Sequence, residues 1–289
     1  MPYPYFPGCT LYTKAKSLDD AARAAAKLLG IELQELANWT CCGATFPLAT
    51  DNVMAFAPPA RILANARKEG DTLVTLCATC YNVLKRTNNL LRADKEKRDK
   101  LNDFMEEQYD GSVEVKHFLE VLRDEVGWEK LQAAVQRPLT GLRVAPYYGC
   151  LLLRPAAEIA LDDPERPRIM EDFLAALGVQ PVNYPYKAEC CGSYLAVGSP
   201  KTAMECSYRI LRSALRHGAE AATTSCPLCQ FNVDDRQKDM RQQYLGFPGL
   251  PVLYFTQLLA LALGLPADSL GLDGHYVDPR PLLKDKGLV

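Results

Sequence analysis

Three histidines and two tryptophans among 289 residues leave little room for imidazole-based metal sites. The three histidines, His117, His217 and His275, stand far from one another and from the cysteines, so a zinc site built on histidine is excluded as the main chemistry. Charge of one sign is also missing. Lys and Arg number 33 against 35 Asp and Glu, scattered rather than in blocks, which removes nucleic acid and anionic membrane surfaces as obvious partners. The longest apolar stretch, Leu258 to Leu265, falls well short of the about 20 residues that span a bilayer. The start, Met1-Pro2-Tyr3-Pro4-Tyr5-Phe6, has no basic region followed by an apolar core and a small-residue cleavage site. A soluble, cytoplasmic protein is therefore expected.

Cysteine is abundant instead. Eleven thiols in a reducing compartment are a poor disulfide framework and a good metal or redox set. Ten of them form an internal repeat. Gly8-Cys9, Cys41-Cys42-Gly43 and Cys77-Ala78-Thr79-Cys80 recur as Gly149-Cys150, Cys190-Cys191-Gly192 and Cys226-Pro227-Leu228-Cys229. A constant offset of 149 positions relates the last four cysteines of each set, whereas Cys9 and Cys150 are 141 apart.

Around these groups the pattern alternates strand and helix twice. In the first half, strand-like segments are Tyr3 to Phe6, Ile31 to Leu36 and Thr72 to Leu76. Helices are expected over Ser17 to Leu29, over Asn52 to Lys68 with a break at Pro58-Pro59, and from Thr79. The second half repeats this with strands at Leu142 to Ala145, Val179 to Tyr184 and Ala221 to Ser225, and helices at Pro164 to Leu177, Pro200 to His217 and Thr256 to Leu263. The fold expected is α/β: two pseudo-symmetric Rossmann-like halves, each a small parallel sheet flanked by helices, with the cysteine loops converging between them. Residues 1–92 form the first repeat, 93–138 a helical connector and 139–289 the second repeat, closing in a proline-rich tail without regular structure that lies on the surface or reaches a partner.

Zinc and conventional iron–sulfur sites take four ligands, and each set here offers five from three separate loops. Adjacent thiols such as Cys41-Cys42 reach one ion poorly but can serve two neighbouring irons, so the spacing favours an extended cluster. Zinc in one site and a thioredoxin-like role for the CxxC groups are the competing readings. Cys206 has no counterpart in the first half and reads as a buried apolar residue.

With both sets placed, the chain resembles the CCG family, and within it the B subunits of heterodisulfide reductase, over almost its whole length. The resemblance implies two noncubane [4Fe-4S] clusters, one held by Cys9, Cys41, Cys42, Cys77 and Cys80, the other by Cys150, Cys190, Cys191, Cys226 and Cys229. It further implies an oxidoreductase that splits a heterodisulfide between the two clusters. Electrons would come from a small subunit carrying cubane clusters (C-like) and a flavin and iron–sulfur subunit (A-like). The substrates of that family carry anionic groups, which makes Lys14, Lys16, Arg154 and Lys187 candidate contacts. His275 is the candidate proton donor. The alternative is a CCG-type electron-transfer or docking subunit of a fumarate, succinate or quinone-linked oxidoreductase, which amphipathic helices with basic and aromatic faces would favour. The sequence shows no clear instance of such a helix.

Overall fold

The computed structural model describes residues 2–44 and 52–289. Two four-stranded, wholly parallel sheets carry the chain. In the first, β1 (Pro2–Phe6), β2 (Glu32–Glu35), β3 (Thr72–Thr75) and β4 (Glu114–His117) lie in the order β2-β1-β3-β4. In the second, β5 (Arg143–Pro146), β6 (Gln180–Pro181), β7 (Ala221–Thr224) and β8 (Val252–Tyr254) lie in the order β6-β5-β7-β8. The two halves therefore share one topology. In both, the chain steps outward from the first strand to the second and then crosses back to the third. A crevice opens at the carboxyl ends of β1 and β3, and of β5 and β7, where open parallel sheets bind ligands. Register pairs Tyr5 with Val74 in one sheet and Val144 with Ala221 in the other.

The expected strands and helices are present with three informative differences. Pro58 and Pro59 do not break their helix. They occupy the first turn of α2 (Ala57–Glu69), where the missing N–H groups have no intrahelical partner to lose. Segment 93–138 is not only a helical connector, because it supplies β4, which pairs with β3 from Thr72↔Glu114 to Thr75↔His117. The tail is not irregular throughout. Arg280–Asp285 forms a helix that buries Leu283, and Lys286 holds it to Gly141 O and Glu220.

The halves are locked together. Helix α1 (Lys16–Leu28) buries Leu18, Ala21, Ala22, Ala25 and Ala26, and small alanines allow the close approach of the helix Phe255–Ala262 from the other half. Thr256 donates its hydroxyl to Leu18 O at 2.9 Å across that contact. From α3 (Ala78–Ala93), Asn82 donates to Leu151 O and Arg154 O, both at 2.7 Å, and Asn89 to Glu158 O at 3.1 Å.

His117, at the end of β4, is fully buried in this interface, against Tyr81 and Phe255. Its Nδ1 accepts from Leu119 N, so Nε2 carries the proton and donates to Leu76 O at 2.8 Å. Burial lowers its pKa to about 4. The unfolded chain binds this proton at a higher pH than the folded one, so the neutral ring stabilises the fold above pH ~6.5 and that contribution is lost as pH falls toward 4. The wild type should lose about 3 kcal/mol more than His117→Gln between pH 7 and 4 in denaturant titrations. Equal slopes for the two proteins would contradict this placement.

Candidate metal centre

Each cysteine group follows the carboxyl end of a strand. Cys9 follows β1 in a short 3₁₀ turn, Cys41 and Cys42 lie beyond β2, and Cys77 and Cys80 begin α3. Cys150, Cys190 with Cys191, and Cys226 with Cys229 take the same places after β5, β6 and β7. All ten are free thiols. In the first set Cys9 Sγ lies 3.7 Å from Cys41 Sγ, and Cys42 Sγ lies 3.6 Å from Cys80 Sγ. In the second, Cys191 Sγ lies 3.7 Å from Cys229 Sγ. Two sulfurs on one tetrahedral ion at a bond length of about 2.3 Å stand about 3.8 Å apart, so each pair is spaced to share one thiophilic metal. Among the described residues no three Cys, His, Asp or Glu groups surround one point as a lone ion requires. The donor set is one of thiol pairs distributed along a crevice.

Two glycines make the crevice. Gly8 has φ +79, and a Cβ there would stand 2.9 Å from Cys80 Sγ. Gly149 has φ +65, and its Cβ would meet Cys229 Sγ at 3.0 Å. Only a residue without a side chain lets the first loop fold over the CxxC sulfur. In the second half Thr79, Tyr148, Cys150, Cys191, Cys226 and Cys229, among others, line a tight pocket of only about 10 Å³, the space of about one water.

Thiols packed this closely share protons. Hydrogen bonds from Cys41 and Cys80 lower Cys42 to about 4, and those from Cys150 and Cys191 lower Cys190 to about 2. Their partners Cys41 and Cys150 are pushed up for the same reason. The two sets abut at the middle of the molecule, where Ala78 N donates to Ser225 O at 3.4 Å and the Thr79 hydroxyl reaches Cys226 Sγ. Cys226 is lowered by Cys229 first and Cys77 second, and Cys77 is raised by Cys226.

The remaining sequence-derived residues are placed as follows. Lys14 and Lys16 are exposed, just beyond Cys9. Arg154 donates to Ala188 O, Pro164 O and Glu165, tying the Cys150 loop to the one that carries Cys190. Lys187 is paired with Glu171 at 2.5 Å and also bonds Pro167 O. Its carboxylate partner is in turn held by the Tyr148 hydroxyl. His275 has a nearly buried side chain between Gln230, whose amide donates to Nδ1 at 3.0 Å, and Gln257, whose Oε1 lies 3.1 Å from Nε2. Asp234 lies 3.7 Å from its Nδ1, and the Tyr254 ring stands 6.2 Å away. Cys206 is half-buried on its helix rather than buried. Two residues that sequence reasoning passed over touch the sulfurs: Asn232 donates to Cys191 Sγ at 3.3 Å, and the Thr79 hydroxyl lies 3.4 Å from Cys226 Sγ. The constant offset that aligns the cysteines would have exposed both, because their counterparts are apolar.

Comparison with known proteins agrees with this architecture. The CCG family, described as a cysteine-rich domain, matches residues 3–85 and 144–234. A relative from Wolinella succinogenes, the 8-methylmenaquinol:fumarate reductase membrane anchor subunit, is 34% identical over 97% of this chain and 98% of its own. The B subunit of the ferredoxin/F(420)H(2)-dependent CoB-CoM heterodisulfide reductase of Methanosarcina acetivorans is 30% identical over 94% and 92%. A protein of Archaeoglobus profundus described as like the B subunit of heterodisulfide reductase is 28% identical over 96% and 95%. A solved structure of a hypothetical protein from Helicobacter pylori shares the fold with a TM-score of 0.77 at 14% identity, over 95% of this chain and 51% of that one. The chain belongs to the CCG family of cysteine-rich proteins, in the group that includes the B subunits of heterodisulfide reductases. Its donor set and relatives make it an iron–sulfur protein of oxidoreductase type.

Proposed function

We propose that this chain is the disulfide-splitting subunit of an iron–sulfur reductase, with two noncubane [4Fe-4S] clusters, one on each set of five cysteines. The observation that carries the reading is the meeting of two equivalent five-thiol sets at facing sheet edges, with Thr79 against Cys226 and Ala78 N bonded to Ser225 O where they join. The donors fit such a group. They are thiols only, they come in metal-spaced pairs, and Gly8 and Gly149 let the first loops close over the CxxC sulfurs. When bound, the clusters would supply one-electron chemistry at two places to a sulfur–sulfur bond whose cleavage needs two electrons.

The chain's own residues hold and orient. Arg154 and Lys187 brace the loops that carry Cys150 and Cys190 through carboxylates and carbonyls. That leaves Lys14 and Lys16 as the cations for an anionic disulfide. His275 is retained as the proton source, with the Tyr254 ring beside its own. Partners would be a cubane-cluster subunit and a flavin-bearing one. The CoB-CoM heterodisulfide of the Methanosarcina relative is the substrate type, and the cytoplasm is the expected compartment.

One observation favours the second reading, a quinone-linked reductase subunit. The helix Pro200–Arg216 buries Met204, Ile210 and Leu211 and exposes Arg209, Arg212 and Arg216. Beside them Tyr208 stacks on Tyr244 at 3.6 Å, and Leu245 is 97% exposed. Such a basic and aromatic face suits a membrane surface, although among the described residues no helix is long and apolar enough to cross one. The two readings separate in one assay. Anaerobic, cluster-loaded protein given a reduced one-electron dye should oxidise it only when a thiol-derived heterodisulfide is added. Dye oxidation that ignores disulfide but responds to a quinone would transfer the assignment to the second reading.

A further inference from the structure

The two sulfur sets share one backbone donor, the glycine after each Cys-Cys pair, and differ in their side-chain donors. Gly43 N donates to Cys41 Sγ at 3.4 Å, and Gly192 N makes the equivalent bond to Cys190. Side-chain donors break the symmetry. Asn232 Nδ2 donates to Cys191 Sγ at 3.3 Å, and Thr79 Oγ1 lies 3.4 Å from Cys226 Sγ. Carried through the offset that superposes the cysteines, Asn232 corresponds to Val83 and Thr79 to Leu228. Neither counterpart can hydrogen-bond, and Val83 is fully buried. Among the described residues, both side-chain donors to sulfur therefore serve the second set, one of them from the first half of the chain.

The Asn232 bond is built into the fold. The chain after the second CxxC widens into a π-turn over Phe231–Asp235, whereas α3 after the first continues as a regular helix to Ala93. That turn holds Asn232 fully buried between Cys191 and the Ser193 carbonyl, to which it also donates at 3.1 Å. Arg236 Nε reaches Asn232 Oδ1 at 3.3 Å, and because a guanidinium can only donate, it fixes the amide with its NH₂ toward sulfur. A metal-bound thiolate has no proton, so Thr79 is the donor in its pair with Cys226.

We propose that Asn232 and Thr79 are positioning residues that set the reduction potential of the second cluster above the value its sulfurs would have with apolar neighbours, making the two halves electronically unequal. The inference rests on the two-cluster reading above. Reduction adds negative charge that spreads onto the ligand sulfurs, and an N–H or O–H aimed at those sulfurs stabilises the reduced state more than the oxidised one.

The test is a redox titration followed by electron paramagnetic resonance, with iron counted on every sample. In Asn232→Val and in Thr79→Val the same one of the two reduction steps should move down and the other stay fixed. For Asn232→Val the expected change is about a tenfold fall in the reduced-to-oxidised ratio at fixed potential, about 59 mV for one electron. Unmoved steps in fully loaded variants, movement of different steps, or loss of iron from both variants would each overturn the proposal. A wild type that carries fewer than two clusters would instead fail the reading on which it rests, and the iron count distinguishes the two.

Discussion

Replacing Cys42 or Cys191 by alanine is expected to remove one cluster and leave the other, halving the iron from about eight to about four per chain. Both thiols are almost completely buried, each beneath the second cysteine of its own CxxC at 3.6 and 3.7 Å. The methyl group of alanine would break that close pair. Metal affinity is also folding energy in such sites, so both variants should unfold at lower temperature than the wild type. Cys206→Ala is the control. It lies half-buried on a helix, has no counterpart in the first set, and should retain all of the iron. Iron and acid-labile sulfide analysis decides the matter. Loss from Cys206→Ala, or full iron in Cys42→Ala, would break the division into two equivalent sets.

The second large effect is expected from a single methyl group. Gly149→Ala puts a Cβ 3.0 Å from Cys229 Sγ, at a positive φ that costs an L residue about 1–2 kcal/mol. Gly8→Ala does the same against Cys80 Sγ at 2.9 Å. The sulfur has to move, and it belongs to a pair whose spacing suits a metal. Each variant should fold, as judged by circular dichroism, and carry about half the iron. Gly141→Ala, also at positive φ but with nothing near its Cβ, should keep the clusters and show only the backbone strain. Equal iron in all three would mean that the glycines serve the turn alone.

The repeat made most of this legible. Four cysteines in constant register fixed the symmetry, and strand runs that end on cysteines placed the loops at one sheet edge. What escaped was carried by weak local signals. The chain of β4 is only Glu-Val-Lys-His, too polar and short to stand out from the charged helices around it, and its membership in the sheet comes from pairing with β3. The Val179 to Tyr184 stretch forms ladder pairs only at Gln180 and Pro181, because prolines at 181 and 185 interrupt it. Arg154 and Lys187 look like free cations in sequence, and only the folded chain reveals the carboxylates Glu165 and Glu171 beside them. Asn232 reads as an ordinary polar helix residue, since a π-turn leaves no mark in composition.

The way the halves are joined has a mechanical consequence. Two-lobed enzymes that close on their substrates need a thin, polar seam that can bend. Here the seam is an alanine-faced helix pair with side-chain bonds to main chain on both sides of it, and Thr79 of one half touches Cys226 of the other. Hinge bending along this seam would have to break the bonds that Asn82, Asn89 and Thr256 make across it.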